Sequence, residues 1–285
     1  MRPPSRQPAG WPFPPAPIKS RPGFPVRLSG LGTPAPAVPA VPAAPGLLSV
    51  TTLAAAAHDG RAAAPPVPFG LGLDSSAVRQ AMVTRLAAQG LSEPAVLQAL
   101  AAVERHRFVD SALVNQAYED TSLPIGLGQT ISKPSVVGRM LELLLQGRSR
   151  PLGRVLEIGT GCGYQSALLA RLAREVYSLE RLRALHEKAR DQLRPLRLHN
   201  VHLILGDGML GYAQGAPYDA ILSAVGGESI PQAWLDQLAP GGRLVAPAAL
   251  TPGRQSLVVI DKTNQGCVQT VLEAVHFVPL KSGLA

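Results

Sequence analysis

The sequence predicts an α/β fold, namely a doubly wound, mostly parallel sheet covered by helices on both faces and preceded by small N-terminal helices. From residue 153 onward, short apolar runs alternate with helical patterns, which is typical of such a sheet. The first run enters a glycine-rich turn at residues 159–163, as the first strand of these sheets does. With 46% hydrophobic and 16% charged residues in 285, the chain can bury a sizeable core.

Residues 1–73 differ in composition from the rest of the chain. Residues 1–70 contain 17 of the 28 prolines and carry +5 of the net charge of +8. Dense proline with few large apolar side chains does not offset the entropy cost of ordering. We therefore expect a disordered Pro/Ala-rich basic tail over residues 1–73 and one domain over residues 74–285. The tail either solubilises the protein, offers polyproline to an SH3-like partner, or is not made because translation starts at Met82.

Capping and helix-breaking residues define the elements before the sheet. Asp74, Ser75 and Ser76 form a capping cluster ahead of a helical pattern that Gly90 ends. Two glycines and two prolines in SLPIGLGQTISKP predict a loop. The predicted elements are a helix over residues 77–90, a second over about 92–104, a loop over 118–134 and a helix over about 135–146.

The remaining elements follow from apolar runs and helical spacing. Strands are predicted over residues 154–158, 176–180, 201–207 and 217–225, with further apolar stretches at 241–249, 256–262 and 270–280. The helices between them include residues 168–176, 181–196 and about 231–238.

Several classes of protein and site are excluded. Cys162 and Cys267 are the only cysteines, too few for a disulfide scaffold, and no run of 18 apolar residues predicts a membrane-spanning helix. The apolar run at 46–57 follows 45 proline-rich residues, which argues against secretion. We expect a cytoplasmic monomer without a nucleic-acid or membrane partner. His199 and His202 lack a companion cysteine or acidic cluster, so we expect no metal.

The glycine-rich turn suggests a ligand. Gly159, Gly161 and Gly163 follow the first strand, with Glu157 two residues before the first glycine. Glycines there allow close approach of a ligand to the backbone, although they also simply permit a tight turn. The G-x-G-x-G spacing differs from the G-x-G-x-x-G that holds a pyrophosphate.

Acidic residues end the next two strands. Glu180 ends the second strand, where a carboxylate can accept hydrogen bonds from both ribose hydroxyls. Asp207, followed by Gly208, ends the third, where a carboxylate can meet an adenine amino group. Each acid alone is explained as well by a solvated loop or a helix cap. Together with the glycine turn, they suggest an adenosine ligand without a pyrophosphate.

Longer motifs resemble a known family. The succession VLEIGTGCGYQSALLA, VYSLE, NVHLILGDG, APYDAILSA and LAPGGRLVAP is similar to the motif series of class I S-adenosylmethionine-dependent methyltransferases, which have a Rossmann-like fold. The segments RHRFV, AYEDTSLPIGLGQTIS and VHFVPL resemble, more narrowly, the protein-L-isoaspartate O-methyltransferase family. The resemblance covers about residues 77–281.

The resemblance implies a protein repair enzyme that transfers the methyl of S-adenosylmethionine to the α-carboxylate of L-isoaspartyl residues in damaged proteins and peptides. It implies that cofactor binding falls to Glu157, Gly159, Gly161, Gly163, Glu180, Asp207 and Gly208. It implies that acceptor binding falls to Pro124, Ile125, Gly126, Gln129 and Thr130. Ser132 would be the catalytic residue, donating a hydrogen bond to the acceptor carboxylate. From the sequence alone, Ser132 also fits the N-cap of the helix that Pro134 begins.

Two alternatives stay open at this point. Lys133 and Ser135 depart from the family pattern beside Ser132, so the same fold could act on a different acceptor, such as a small molecule or RNA. A third hypothesis is an idle protein whose tail recruits a partner. Cys162 and residues 223–227 also depart from the pattern.

Overall fold

The structure, a computed structural model, describes residues 76–251 and 253–285. The predicted tail of residues 1–73, its possible roles, and Asp74 and Ser75 of the capping cluster lie outside the described residues. The helices are α1 Ser76–Ala88, α2 Pro94–Ala102, α3 Pro134–Leu145, α4 Tyr164–Leu169, α5 Arg183–Leu193 and α6 Gln232–Gln237. The strands are β1 Leu123–Gly126, β2 Gln129–Ile131, β3 Leu152–Ile158, β4 Ala173–Glu180, β5 Val201–Leu205, β6 Tyr218–Ser223, β7 Leu238–Thr251, β8 Arg254–Thr263 and β9 Gly266–Val275.

A seven-stranded sheet organises the described chain, in the order β5-β4-β3-β6-β7-β8-β9. Strands β3 to β7 pair in parallel, whereas β8 and β9 pair antiparallel. The chain moves outward from β3 to β5 and then returns to place β6 on the other side of β3. The strand order therefore reverses between β3 and β6, where open α/β sheets leave a crevice at the carboxyl ends of their strands. The predicted α/β class is confirmed.

Alternation along each strand builds two cores. In β3, Val155 packs with the larger cluster, which contains the buried faces of α1 to α5. Leu156 and Ile158 belong to the other cluster, which includes Trp234 of α6. The side chains of consecutive strand residues point to opposite faces, so both faces of β3 are buried. Among the described helices, none is long and apolar enough to cross a membrane.

Helix α4 is much shorter than the sequence predicted. The prediction of a helix that includes residues 168–176 was wrong, because α4 ends at Leu169 and β4 begins at Ala173. The apolar spacing of this segment fits a helix, but parallel pairing of Ala173 with Leu152 and of Val176 with Val155 forms a strand. Tertiary pairing thus overrides the local pattern.

Two smaller differences lie before the sheet. The segment predicted as a loop over residues 118–134 contains a two-stranded antiparallel hairpin, in which Leu123 pairs with Ile131. Helix α2 ends at Ala102, about two residues before its predicted end. Gly90 follows the end of α1 with a φ of +104°, as the predicted glycine stop requires.

Candidate functional site

A cleft of about 430 Å³ lies at the carboxyl ends of β3 and β4. One wall is made by residues 159–162 of the glycine loop, defined as residues 159–163. The hairpin β1–β2 and residues 278–281 near the end of the chain supply further parts of the wall. The cleft therefore occupies the crevice that the strand order creates.

The glycine loop requires its three glycines. Gly159, Gly161 and Gly163 have φ values of +89°, +57° and +88°, in the left-handed region that favours glycine. A Cβ on Gly161 would lie 3.2 Å from Ile125 Cδ1 of the hairpin, and one on Gly163 would lie 2.9 Å from Leu193 Cδ1 of α5. Gly159 and Gly161 line the cleft, whereas Gly163 packs behind it. The loop thus brings bare backbone to the cleft wall.

Glu180 joins the glycine loop to the end of β4. Its carboxylate is buried but lines the cleft. Oε2 accepts a hydrogen bond from the Gly161 amide at 2.9 Å, and Oε1 accepts one from the Leu182 amide at 3.0 Å. An ionised carboxylate has about four acceptor sites. Two bonds to the backbone thus leave Glu180 able to accept further hydrogen bonds from a ligand.

Glu157 lies behind the cleft and does not line it. It is fully buried and accepts hydrogen bonds from Ser178 Oγ at 2.6 Å, Gln165 Nε2 at 3.1 Å and Ser166 Oγ. Glu157 is one residue inside β3, so strand alternation turns its side chain toward α4. Burial raises its pKa to about 7, although the three hydrogen bonds oppose this shift. Direct contact with a ligand, as predicted, has no support in this geometry.

Asp207 and Gly208, both predicted to bind the cofactor, differ in their position relative to the cleft. Gly208 lines the cleft, but the Asp207 side chain does not. Asp207 Oδ1 accepts from the Met209 amide at 2.8 Å, which caps a short 3₁₀ turn. Oδ2 accepts from the Gly283 amide at 2.6 Å. The carboxylate thus ties the end of the chain to the end of β5.

A second cavity, of about 320 Å³, meets the first at Ser132. Its lining includes Lys133 at the start of α3 and His276 and Phe277 after β9. The residues that line both cavities are Thr130, Ser132, Ala224 and Val278. Ser132 is half-buried at this meeting point, directly after β2.

Ser132 is not the cap of α3. Lys133 occupies the N-cap position and makes no side-chain cap bond. Instead, Asp120 accepts hydrogen bonds from the Ser135 amide at 2.8 Å and from Ser135 Oγ at 2.7 Å. The capping interpretation of Ser132 was therefore wrong. The first turn of α3 is held by an acid 15 residues earlier in the chain.

Only some of the hairpin residues predicted to bind an acceptor line the first cavity. Ile125, Gln129 and Thr130 line the first cavity. Pro124 and Gly126 are exposed and do not line it. Gly126 has a φ of +102°, so its role is to shape the turn between the strands.

The described residues contain no group of three or more His, Cys, Asp or Glu side chains arranged to hold a metal ion. The Nε2 atom of His202 lies 2.6 Å from Glu175 Oε2 at the outer edge of the sheet. Both Cys162, which is buried, and Cys267, which is exposed, are free.

Comparison with known proteins identifies the family. Residues 77–285 match the family of Protein-L-isoaspartate(D-aspartate) O-methyltransferase (PCMT). The chain belongs to this family. A relative named Protein-L-isoaspartate O-methyltransferase, from Methylibium petroleiphilum, is 61% identical over 221 residues, which cover 76% of this chain and 81% of the relative.

Solved structures agree with the assignment to the PCMT family. One, named protein-L-isoaspartate O-methyltransferase, is 29% identical with a TM-score of 0.66, over 72% of this chain and 67% of that one. A putative enzyme of the same name from Plasmodium falciparum, in complex with S-adenosyl-L-homocysteine, has a TM-score of 0.62 over 71% of this chain and 98% of that one. At 24% identity it supports the fold alone.

Membership of the PCMT family confirms the function expected from the sequence. The protein is an S-adenosylmethionine-dependent methyltransferase that repairs isoaspartyl residues in proteins. The alternative, a methyltransferase of this fold for a small molecule or RNA, is not supported.

Part of this PCMT cleft was missed by reasoning from sequence. Arg181 and residues 278–281 line it, although VHFVPL was noted only as a family motif. Two backbone bonds hold this segment, from the Leu280 amide to the Gly226 carbonyl at 2.8 Å and from the Gly226 amide to the Val278 carbonyl at 2.9 Å. A Cβ on Gly226 would lie 2.5 Å from Gln255 Nε2, so a larger residue there would require the Gln255 side chain to shift. No local pattern reveals a contact between segments so far apart in sequence.

The buried carboxyl group of Glu157 predicts a pH-dependent stability. Its pKa is about 7 in the folded protein against an ordinary 4.5, so between these values the folded state holds a proton that the unfolded state has lost. Stability should therefore fall as the pH rises through this window and level off above it. Relative to Glu157→Gln, the wild-type free energy of unfolding should drop by roughly 1 to 3 kcal/mol between pH 5 and pH 8, as measured by urea unfolding.

The control for this prediction is Glu187→Gln, at an exposed position on α5. Its stability should follow the wild-type curve at both pH values. Parallel curves for wild type and Glu157→Gln would show that Glu157 titrates normally, contrary to the prediction.

Proposed function

We propose that the first cavity binds S-adenosylmethionine through Gly159, Gly161, Glu180 and Gly208, and that the second cavity receives the isoaspartyl residue. The observation that carries this proposal is the position of Ser132 where the two cavities meet. Methyl transfer needs donor and acceptor to approach each other in line. Two cavities that share lining residues would place the two reactants next to each other, as this need requires.

The residues present fit the adenosine half of the cofactor. A volume of about 430 Å³ is within the usual range for a small-molecule site. The bare backbone of Gly159 and Gly161 leaves room that a Cβ would fill. Glu180 has free acceptor sites for the ribose hydroxyls at the end of the second parallel strand.

The acceptor side fits a carboxylate that needs no activation. Bound S-adenosylmethionine supplies an electrophilic methyl group on a sulfonium sulfur. A carboxylate with a pKa of about 4 is already ionised at pH 7, so no general base is required. The four residues that line both cavities accordingly carry no ionisable side chain. They orient the reactants and exclude water, and Ser132 donates a hydrogen bond that fixes the acceptor carboxylate.

The remaining roles divide between contact and support. Ile125, Gln129 and Thr130 contact the reactants from the hairpin. Glu157 and Asp207 act as supports, because their carboxylates bind protein groups outside the cleft.

We also propose that the methyltransferase domain spans residues 74–285, uses no metal and acts as a cytoplasmic monomer. The small net charge of +3 after residue 70 supports a domain without a nucleic-acid partner.

The acceptor proposal is tested with labelled S-adenosylmethionine and a pair of peptides that differ only in isoaspartyl or aspartyl linkage. Label should enter only the isoaspartyl peptide. Ser132→Ala should lower kcat/KM about 10- to 100-fold, the effect of losing a hydrogen bond to a charged group, with little change in cofactor affinity. Ser135→Ala is the matched control, which should lower the melting temperature through loss of the Ser135 Oγ bond to Asp120 and largely retain transfer. Equal labelling of both peptides would contradict the proposal.

The cofactor proposal is tested at Glu180. Glu180→Ala should weaken binding of S-adenosylmethionine by roughly 1 to 3 kcal/mol, about 5- to 150-fold in Kd by calorimetric titration. The loss combines the ribose contact with the bond to Gly161. Glu175→Ala, at the opposite end of β4, is the control and should bind as the wild type does. An unchanged Kd in Glu180→Ala would refute the ribose assignment.

A further inference from the structure

Arg105 is a charged side chain in the protein interior. It begins the short 3₁₀ turn Arg105–Phe108 and has 0% of its surface exposed. Burial of an unpaired charge is costly. None of the ion pairs within residues 76–251 and 253–285 includes Arg105. Burial accordingly lowers the pKa of its guanidinium. The interactions that hold it must come from the main chain and from aromatic rings.

Two hydrogen bonds from Arg105 reach both ends of one loop. Nε donates to the Ala117 carbonyl at 2.8 Å, and Nη2 donates to the Ser132 carbonyl at 2.7 Å. Between these carbonyls lies the acceptor loop, defined as residues 117–132, which contains the hairpin β1–β2. One planar guanidinium thus closes the base of the loop that carries Ser132.

The same guanidinium also contacts the cofactor side. Its Cζ lies 4.9 Å from the centre of the Tyr164 ring, within the range of a cation–π interaction. Tyr164 is the first residue of α4, directly after Gly163, and it lines the first cavity. Phe108 packs edge-on against the same ring at 5.5 Å. Arg105 therefore touches the acceptor loop at both ends and the helix that follows the glycine loop.

We propose that Arg105 is a positioning residue that clasps the acceptor loop onto the first turn of α4 and so holds Ser132 at the meeting point of the two cavities. This inference rests on the proposed function, in which Ser132 must be held where it can bind the acceptor carboxylate. Arg105 lines neither cavity, so it acts through Ser132 and Tyr164 and does not contact the reactants.

The chemistry of arginine suits this task. A guanidinium presents several donors in one rigid plane, so it can bind two carbonyls and stack on a ring at once. A lysine keeps the charge but offers a single ammonium on a flexible stem. Arg105→Lys should therefore keep a hydrogen bond to only one of the two carbonyls, Ala117 or Ser132, and lose the other.

The test compares Arg105→Lys with Arg243→Lys. Arg243 of β7 is the control, because its Nη1 likewise bonds two carbonyls, of Leu143 at 2.8 Å and Gln146 at 2.9 Å, away from both cavities; unlike Arg105, it also pairs with Asp261. Arg105→Lys should lower kcat/KM for the isoaspartyl peptide at least about tenfold and change the Kd of S-adenosylhomocysteine less than about twofold. It should also speed amide hydrogen exchange at residues 119–131. Arg243→Lys should lower the melting temperature and leave kcat/KM, the Kd of S-adenosylhomocysteine and exchange at residues 119–131 unchanged.

Arg105→Gln is the second variant if Arg105→Lys does not fold, since it removes the buried charge and keeps one donor group. Unchanged exchange at residues 119–131 in the folded variant, or an equal loss of kcat/KM in Arg243→Lys, would overturn the proposal. The exchange experiment needs no acceptor peptide. A wild-type protein that failed to methylate the isoaspartyl peptide would therefore refute the proposed function, while exchange would still decide whether the clasp exists.

Discussion

The reversal of strand order between β3 and β6 is the constraint on which the site depends. Because β3 has β4 on one side and β6 on the other, their parallel carboxyl ends open at one edge of the sheet. The glycine loop, Glu180 and Ala224 are then brought together at one cleft, although they lie in separate segments of the sequence. The hairpin β1–β2 and residues 278–281 need only cover this edge. The cleft is thus a consequence of topology, closed by two additional segments.

Local pattern was sufficient for the parts of the site that this topology places. The left-handed glycines and Glu180 stand at strand ends, and strand ends can be read from apolar runs and the turn residues that follow. Glu157 shows the limit of that reasoning. Glu157 is the second-last residue of β3. Alternation along the strand turns its side chain away from the crevice and into contact with Ser178 of β4. The motif was recognised correctly and the strand was predicted to end at residue 158, as it does, but the sequence did not show which face of the sheet the Glu157 side chain joins.

Contacts between distant segments account for the other differences. Residues 168–176 suit a helix until β3 offers pairing to Ala173 and the residues after it. The capping of Ser135 by Asp120, and the seating of residues 278–281 beside Gly226, depend on how whole elements pack. Neither leaves a periodicity or a turn signal in the sequence. Such contacts form the walls of both cavities, which is why the lining of the second cavity was less predictable than the glycine loop and Glu180.

Two buried ionisable groups stand behind the two halves of the cleft. Glu157 lies behind the glycine loop, bound by Ser166 and Ser178, and Arg105 lies behind the acceptor loop, bound by backbone carbonyls. They do not pair with each other. Well-packed apolar residues in such positions are often equally or more stabilising, so stability alone does not account for either group. Glu157 instead ties α4 to β4, and Arg105 closes the acceptor loop, in both cases by directed hydrogen bonds. Methyl transfer depends on alignment, and such bonds hold the elements beside the cleft in a fixed geometry.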